Sequence, residues 1–145
     1  MVIVISKQVN VMKKIWILLV MAMLMVASCN EKKNFETLNG EWKVVAIGDM
    51  SVPGSVDAFI GFNTAEQVVY GSTGCNYLTG AMPTEINPET LMFGAMGSTR
   101  MMCADMAVED AMLPALAKVV DFKVKGNSLN LLDVDGNIVI SLEKR

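Results

Sequence analysis

Two short stretches constrain the folding of this 145-residue chain more than any others: Gly74-Cys75-Asn76, and Thr99-Arg100-Met101-Met102-Cys103. Between them they hold two of the three cysteines and the one arginine away from the C-terminus. Gly71, Gly74 and Gly80 crowd the first stretch, too densely for a plain strand, so a sharp corner or bulges are expected there. The two stretches are expected to meet in space as one corner of the fold.

The N-terminus reads as an address. Met12-Lys13-Lys14 is a short positive region, and Met12 is a better start than Met1. The apolar run from Ile15 to Val26 is shorter than the roughly 20 residues a spanning helix needs but suits a signal-peptide core. It ends in Val26-Ala27-Ser28-Cys29, which resembles a bacterial lipobox with Cys29 as the lipidated residue; the alternative is an uncleaved anchor with an incidental cysteine. The expected organisation is a signal peptide over 1–28, a lipidated N-terminus and polar tether over 29–36, and one domain over 37–145. Acyl chains on Cys29 would hold the protein at a membrane of the cell envelope. The lack of aspartate directly after Cys29 favours the outer membrane, at its periplasmic face or the cell surface.

Composition then excludes several functions. The chain has no histidine, which removes histidine-based triads, Cys-His dyads and histidine metal sites. All 15 acidic residues follow position 28, against nine basic ones there, so the exported part is acidic and lacks a basic stripe. Such a domain is a poor partner for nucleic acid.

The rest of the chain is mostly short strands. Leu38 to Ile47 predicts a first strand with Trp42, Val44 and Ala46 on one face, and Gly40 marks a bulge or a close backbone approach. Residues 48–56 read as a loop, and 59–62 and 67–71 as a hairpin around 63–66. Further strands are expected over 81–86 and 90–94, and a connection over 95–103. Ala104 to Val119 predicts one helix with Val108, Met112, Leu116 and Val119 facing inward, Asp105 as cap, and Glu109, Asp110 and Lys118 elsewhere on the wheel. Pro114 conflicts with it, because proline inside a helix costs about 3 kcal/mol; two shorter helices are the alternative. Strands over 121–125, 129–131 and 138–142 follow, joined by turns at Gly126-Asn127 and Asp135-Gly136. The expected fold class is α+β, mostly β: an antiparallel, incomplete barrel-like sheet of about eight short strands with one helix inserted late in the chain.

Leu38-x-Gly40-x-Trp42, Gly74-Cys75-Asn76 and Met96-Gly97-Ser98-Thr99-Arg100-Met101-Met102-Cys103 resemble the META domain of the HslJ family. Glu109-x-x-x-Leu113-x-x-Leu116, Leu129-x-Leu131 and Asp135-Gly136 extend that resemblance over Leu38 to Leu142. It implies an antiparallel barrel-like sheet with a helix, similar to type III secretion pilot lipoproteins. It also implies a bacterial lipoprotein from a family named for a heat-shock-inducible protein linked to novobiocin resistance.

Candidate chemistry centres on the two stretches. An exported protein meets an oxidising compartment, so Cys75 and Cys103 are expected to pair as a disulfide, with free buried thiols or a redox-active pair as alternatives. Closing that loop would contribute roughly 3–4 kcal/mol. Arg100 can stabilise a thiolate but cannot take a proton, and no base accompanies the cysteines. Two cysteines without further soft ligands make no metal site, and no cofactor is implied. Asn76 and Arg100 are the candidate binding residues. For Arg100 the favoured role is structural, clamping backbone carbonyls or the acids Asp105 and Glu109; recognition of a carboxylate or phosphate is the other. Ser98 and Thr99 would cap a helix turn rather than act as nucleophiles. The five methionines from Met92 to Met106 are expected to fill core space rather than form an adaptable surface.

The function expected is that of a non-enzymatic envelope lipoprotein, monomeric, which binds an envelope protein or peptide in a stress or assembly role. The alternative is a carrier holding a small apolar or acyl ligand in the half-open barrel, in a pocket lined by Trp42, Phe62, Phe93 and Phe122.

Overall fold

The alternation that starts at Trp42 builds the first long strand, β1 (Gly40–Ile47), whose Trp42, Val44 and Ile47 are buried. The computed structural model describes residues 34–82 and 90–145. The expected signal segment, Cys29, most of its tether and the stretch 83–89 lie outside the described residues. Phe35–Leu38 winds as a 3-10 turn. The Leu38 carbonyl accepts a 2.6 Å bond from the indole Nε1–H of Trp42, so the largest core side chain is buried with its polar atom paired.

Eight further strands follow: β2 (Met50–Ser51), β3 (Ala58–Asn63), β4 (Val68–Thr73), β5 (Tyr77–Ala81), β6 (Met96–Ser98), β7 (Asp121–Lys125), β8 (Ser128–Leu132) and β9 (Ile138–Lys144). They form one antiparallel sheet in the order β6-β5-β4-β3-β1-β9-β8-β7, with β2 paired to the end of β1. The sheet does not close, and the fold is α+β and mostly β. The meander is broken in one place. β9 returns beside β1, with Trp42 opposite Lys144 and Ile47 opposite Ile140, so the first and last strands meet inside the sheet. Lys144 places its ammonium 4.3 Å from the Trp42 ring and donates to the Asn39 carbonyl at 2.6 Å.

Three expectations are corrected. Residues 90–94 do not form a strand. The Leu91 N–H bonds the Val120 carbonyl (3.1 Å) and the Gly94 N–H bonds the Ala81 carbonyl (2.8 Å), so this segment spans from β5 toward the start of β7 instead of running along one neighbour. The strand lies in the expected connection, at Met96–Ser98, with Gly97 opposite Thr79. Second, the expected strand over 81–86 has only Ala81 in a strand among the described residues. Its ladder begins earlier, at Tyr77, because the corner occupies only the four residues that follow Ser72.

Third, the helix, α1 (Ala107–Leu116), is shorter than expected. The Asp105 carboxylate bonds the Ala107 N–H at 2.9 Å and marks its start. Pro114 falls in its last turn, after which Lys118 and Val119 donate three residues back and wind the chain out. α1 packs against β9, β1 and β4 and buries Val108, Met112 and Leu116 in the core. The methionines there are Met82 and Met112. Met92, Met101 and Met102 are exposed, so the run from Met92 to Met106 does not fill the core.

Candidate functional site

The corner between β4 and β5 is a tight turn built by four residues. Thr73 N–H bonds the Asn76 carbonyl (2.8 Å), and Asn76 N–H bonds the Thr73 hydroxyl (2.9 Å). Gly74 sits at φ +94°, a conformation that side chains rarely adopt. Three residues earlier, within β4, Gly71 serves close approach: a Cβ there would lie 2.2 Å from the Phe59 carbonyl oxygen on β3. The glycines of this stretch thus divide their work, one turning the chain and one letting strands approach.

The turn aims the Asn76 side chain into the protein, where it is 1% exposed and makes every hydrogen bond it can make. Its Oδ1 accepts from the Met101 N–H (2.7 Å) and the Thr99 hydroxyl (2.7 Å). Its Nδ2 donates to the Met101 carbonyl (3.1 Å) and to Glu109 Oε2 (2.8 Å). Because the Met101 N–H can only donate, the orientation of the amide is determined. Thr99 Oγ1 also accepts from the Tyr77 N–H (3.1 Å). Glu109, on the first turn of α1, is 8% exposed and receives a second bond, from the Thr73 hydroxyl (2.8 Å). It has no ion-pair partner among the described residues; neutral donors compensate its burial.

Cys75 and Cys103 are joined as a disulfide, with Cα atoms 6.0 Å apart across a sequence separation of 28. It staples the β4–β5 corner to the segment that leads into α1, so a covalent bond and the Asn76 amide hold the same two pieces of chain.

Arg100 lies elsewhere than its favoured structural role requires. It is exposed and has no hydrogen-bond or ion-pair partner among the described residues. The groups it was expected to clamp are engaged: Met101 by Asn76, Glu109 by Asn76 and Thr73, and Asp105 by the Ala107 N–H. The guanidinium is therefore left in solvent, beside Met101 and Met102, the latter 99% exposed. Tyr77, across the Thr99 bonds, is exposed too. Ser98 and Thr99 cap no helix: Thr99 belongs to the Asn76 network and Ser98 lines a cleft.

That cleft, about 400 Å3, runs between β6 and α1 and is lined by Phe93, Gly94, Met96, Ser98, Leu113, Leu116 and Ala117. Of the four aromatic residues expected around an internal pocket, only Phe93 lines it; Trp42, Phe62 and Phe122 are packed in the core. Among the described residues no three cysteine or acidic side chains converge as metal ligands.

Glu109 is the site residue that the helical wheel misses. A carboxylate near a helix N-terminus is favourable in solvent, so its position there requires no buried partner. The available signal was its position three residues before Met112 and seven before Leu116, on the edge of the buried face.

A family model described as META domain matches residues 34–145. Among solved structures, an NMR structure of a protein from Burkholderia xenovorans shares the fold with a TM-score of 0.61 and 22% identity, over 82% of this chain and 93% of that one. A second NMR structure matches with a TM-score of 0.56 and 17% identity, over 73% and 89%. A crystal structure of a DUF4847 family protein from Bacteroides vulgatus matches with a TM-score of 0.53 and 14% identity, over 74% and 94%. No curated protein matches.

Proposed function

This chain belongs to the META domain family, and we propose that it is a lipid-anchored envelope protein that works by binding a protein or peptide at its disulfide-stapled corner. One observation carries this reading: an unpaired Arg100 and the exposed Met101, Met102 and Tyr77 sit on backbone that the buried Asn76 and the Cys75–Cys103 bond hold in place. A surface ordered before binding loses less entropy on association. Exposed methionine and tyrosine beside arginine is also the composition that recognition surfaces favour. Anchoring at Cys29, by its lipobox-like context, would place this corner near partners at the outer membrane. The family resemblance supports a stress or assembly role. The carrier alternative has less to rest on, since Trp42, Phe62 and Phe122 fill the core.

The reading is tested in two arms on the full chain in living cells. Cys29→Ser should shift the protein from membrane to soluble fractions; retention after signal cleavage removes the anchor. A photo-crosslinking residue replacing Met102 should give a discrete adduct that Arg100→Gln abolishes, while the same residue at Val134, exposed in the β8–β9 turn, should not. Identical adducts at both positions, or none at Met102, overturn the recognition surface.

A further inference from the structure

Among the described residues, β6 is one end of the sheet and pairs only with β5. The Thr99 N–H bonds the Tyr77 carbonyl, so Thr99 faces β5. In an antiparallel ladder such residues alternate with residues whose N–H and C=O point away. The backbone groups of Ser98 and Met96 therefore point outward, and no hydrogen bond uses them among the described residues. An open edge of this kind is a template for another strand.

The side chains of Met96 and Ser98 share a face and form one wall of the cleft; Leu113, Leu116 and Ala117 of α1 form the other. The same edge thus offers backbone pairing and, directly beside it, apolar space for the side chains of the pairing strand. Two exposed cations lie close in sequence to residues that line the cleft: Arg100, two residues beyond Ser98, and Lys118, the residue after Ala117. Neither side chain has a hydrogen-bond or ion-pair partner among the described residues. In an exported domain with 15 acidic and nine basic residues after position 28, two free cations near these lining residues select for a negatively charged partner.

We propose that β6 is a peptide-docking edge: an extended segment of another envelope protein adds as a strand against Met96–Ser98, inserts an apolar side chain between Met96 and Leu116, and places a carboxylate on Arg100. Backbone pairing would give affinity, and the cleft and the cation would give selectivity. This rests on the reading of the corner as a binding surface and names its partner class.

The test is an amide-resolved NMR titration of the full-length chain in detergent. The probe is a synthetic six-residue peptide alternating valine with threonine and ending in a free carboxylate. Saturable shifts should centre on the amides of Met96, Ser98 and Arg100. Methylating the peptide's alternate backbone nitrogens on its pairing edge should weaken binding about tenfold or more, the loss of one hydrogen bond being worth about that factor. Ser98→Pro removes one outward donor while leaving the β5 ladder intact, and should do the same. Arg100→Gln should weaken the free-acid peptide about tenfold and leave the amidated peptide unchanged. Both variants should keep the wild-type thermal midpoint.

Absence of shifts at β6 at millimolar peptide, or insensitivity to backbone methylation, overturns the proposal. So does displacement of the peptide by sodium oleate with the oleate bound more tightly, which would make the cleft an acyl site. If the peptide fails while the Arg100-dependent adduct at Met102 persists, only strand addition falls. If both fail, the binding reading falls with it.

Discussion

The amide of Asn76 donates to the buried carboxylate of Glu109 at 2.8 Å, across 33 residues of sequence. This contact ties the β4–β5 corner to the first turn of α1, and the Thr73 hydroxyl reinforces it on the same oxygen. Burying a carboxylate is costly unless donors replace water, and both donors here come from the corner. The helix start and the corner therefore depend on each other.

Substitutions at Asn76 should separate the two roles of its amide. Asn76→Ala leaves the Met101 backbone unpaired and Glu109 with only the Thr73 hydroxyl, and is expected to cost about 3 kcal/mol or more in chemical denaturation. Asn76→Asp keeps the acceptor but sets a second carboxylate against Glu109. Like charges raise the folded-state pKa of one member above its unfolded value, so that variant should gain stability as pH falls from neutrality through the mildly acidic range. An Asn76→Asp midpoint that is independent of pH would show that the two groups do not face each other.

Removing the staple should weaken the fold without erasing it. Cys75→Ser with Cys103→Ser is expected to lower stability by about 2–4 kcal/mol while keeping strand content, because the Asn76 bonds still join the same segments. Peptide mapping of the native protein after alkylation should find neither Cys75 nor Cys103 modified. Modification of both would contradict the pairing.

Gly71 tests the backbone rather than a side chain. Gly71→Ala puts a methyl group within 2.2 Å of the Phe59 carbonyl oxygen, so β3 and β4 must separate. The expected loss is about 2 kcal/mol or more, whereas Gly126→Ala, with open space around it, should cost only the strain of its positive φ. Equal midpoints for the two variants would remove the close-approach argument.

In the β8–β9 turn, Asp133 should titrate below its ordinary value of 3.8, chiefly because the Asn137 backbone N–H bonds its carboxylate. The Asn137 side-chain amide and the Asp135 N–H add to this. A depressed folded pKa contributes stability above the unfolded pKa, and this is lost as the pH drops below 3.8 through the folded value. Carboxyl NMR should show the low value, and Asp133→Asn should flatten that acid limb. Titration of Asp133 at or above 3.8 would break the assignment.

The chain itself determined a good deal. Alternating apolar residues such as Trp42 and Val44, or Ile140 and Leu142, specify half-buried strands because a strand's side chains repeat every two residues. Gly126-Asn127 and Asp135-Gly136 specify their turns by local backbone geometry, and the spacing of Val108, Met112 and Leu116 specifies the inner face of the helix. Each of these signals is complete within a few residues. The pairing of β9 with β1, the crossing of residues 91–94 toward Val120, and the use of Met96–Ser98 as the edge are decided by partners far away in sequence, which no local pattern encodes. The same holds for the charged residues. Both Glu109 and Arg100 looked like members of one clamp, yet only tertiary packing decided that Asn76 would take the carboxylate. With that acceptor filled, and Met101 and Asp105 also engaged, the guanidinium of Arg100 is left facing water.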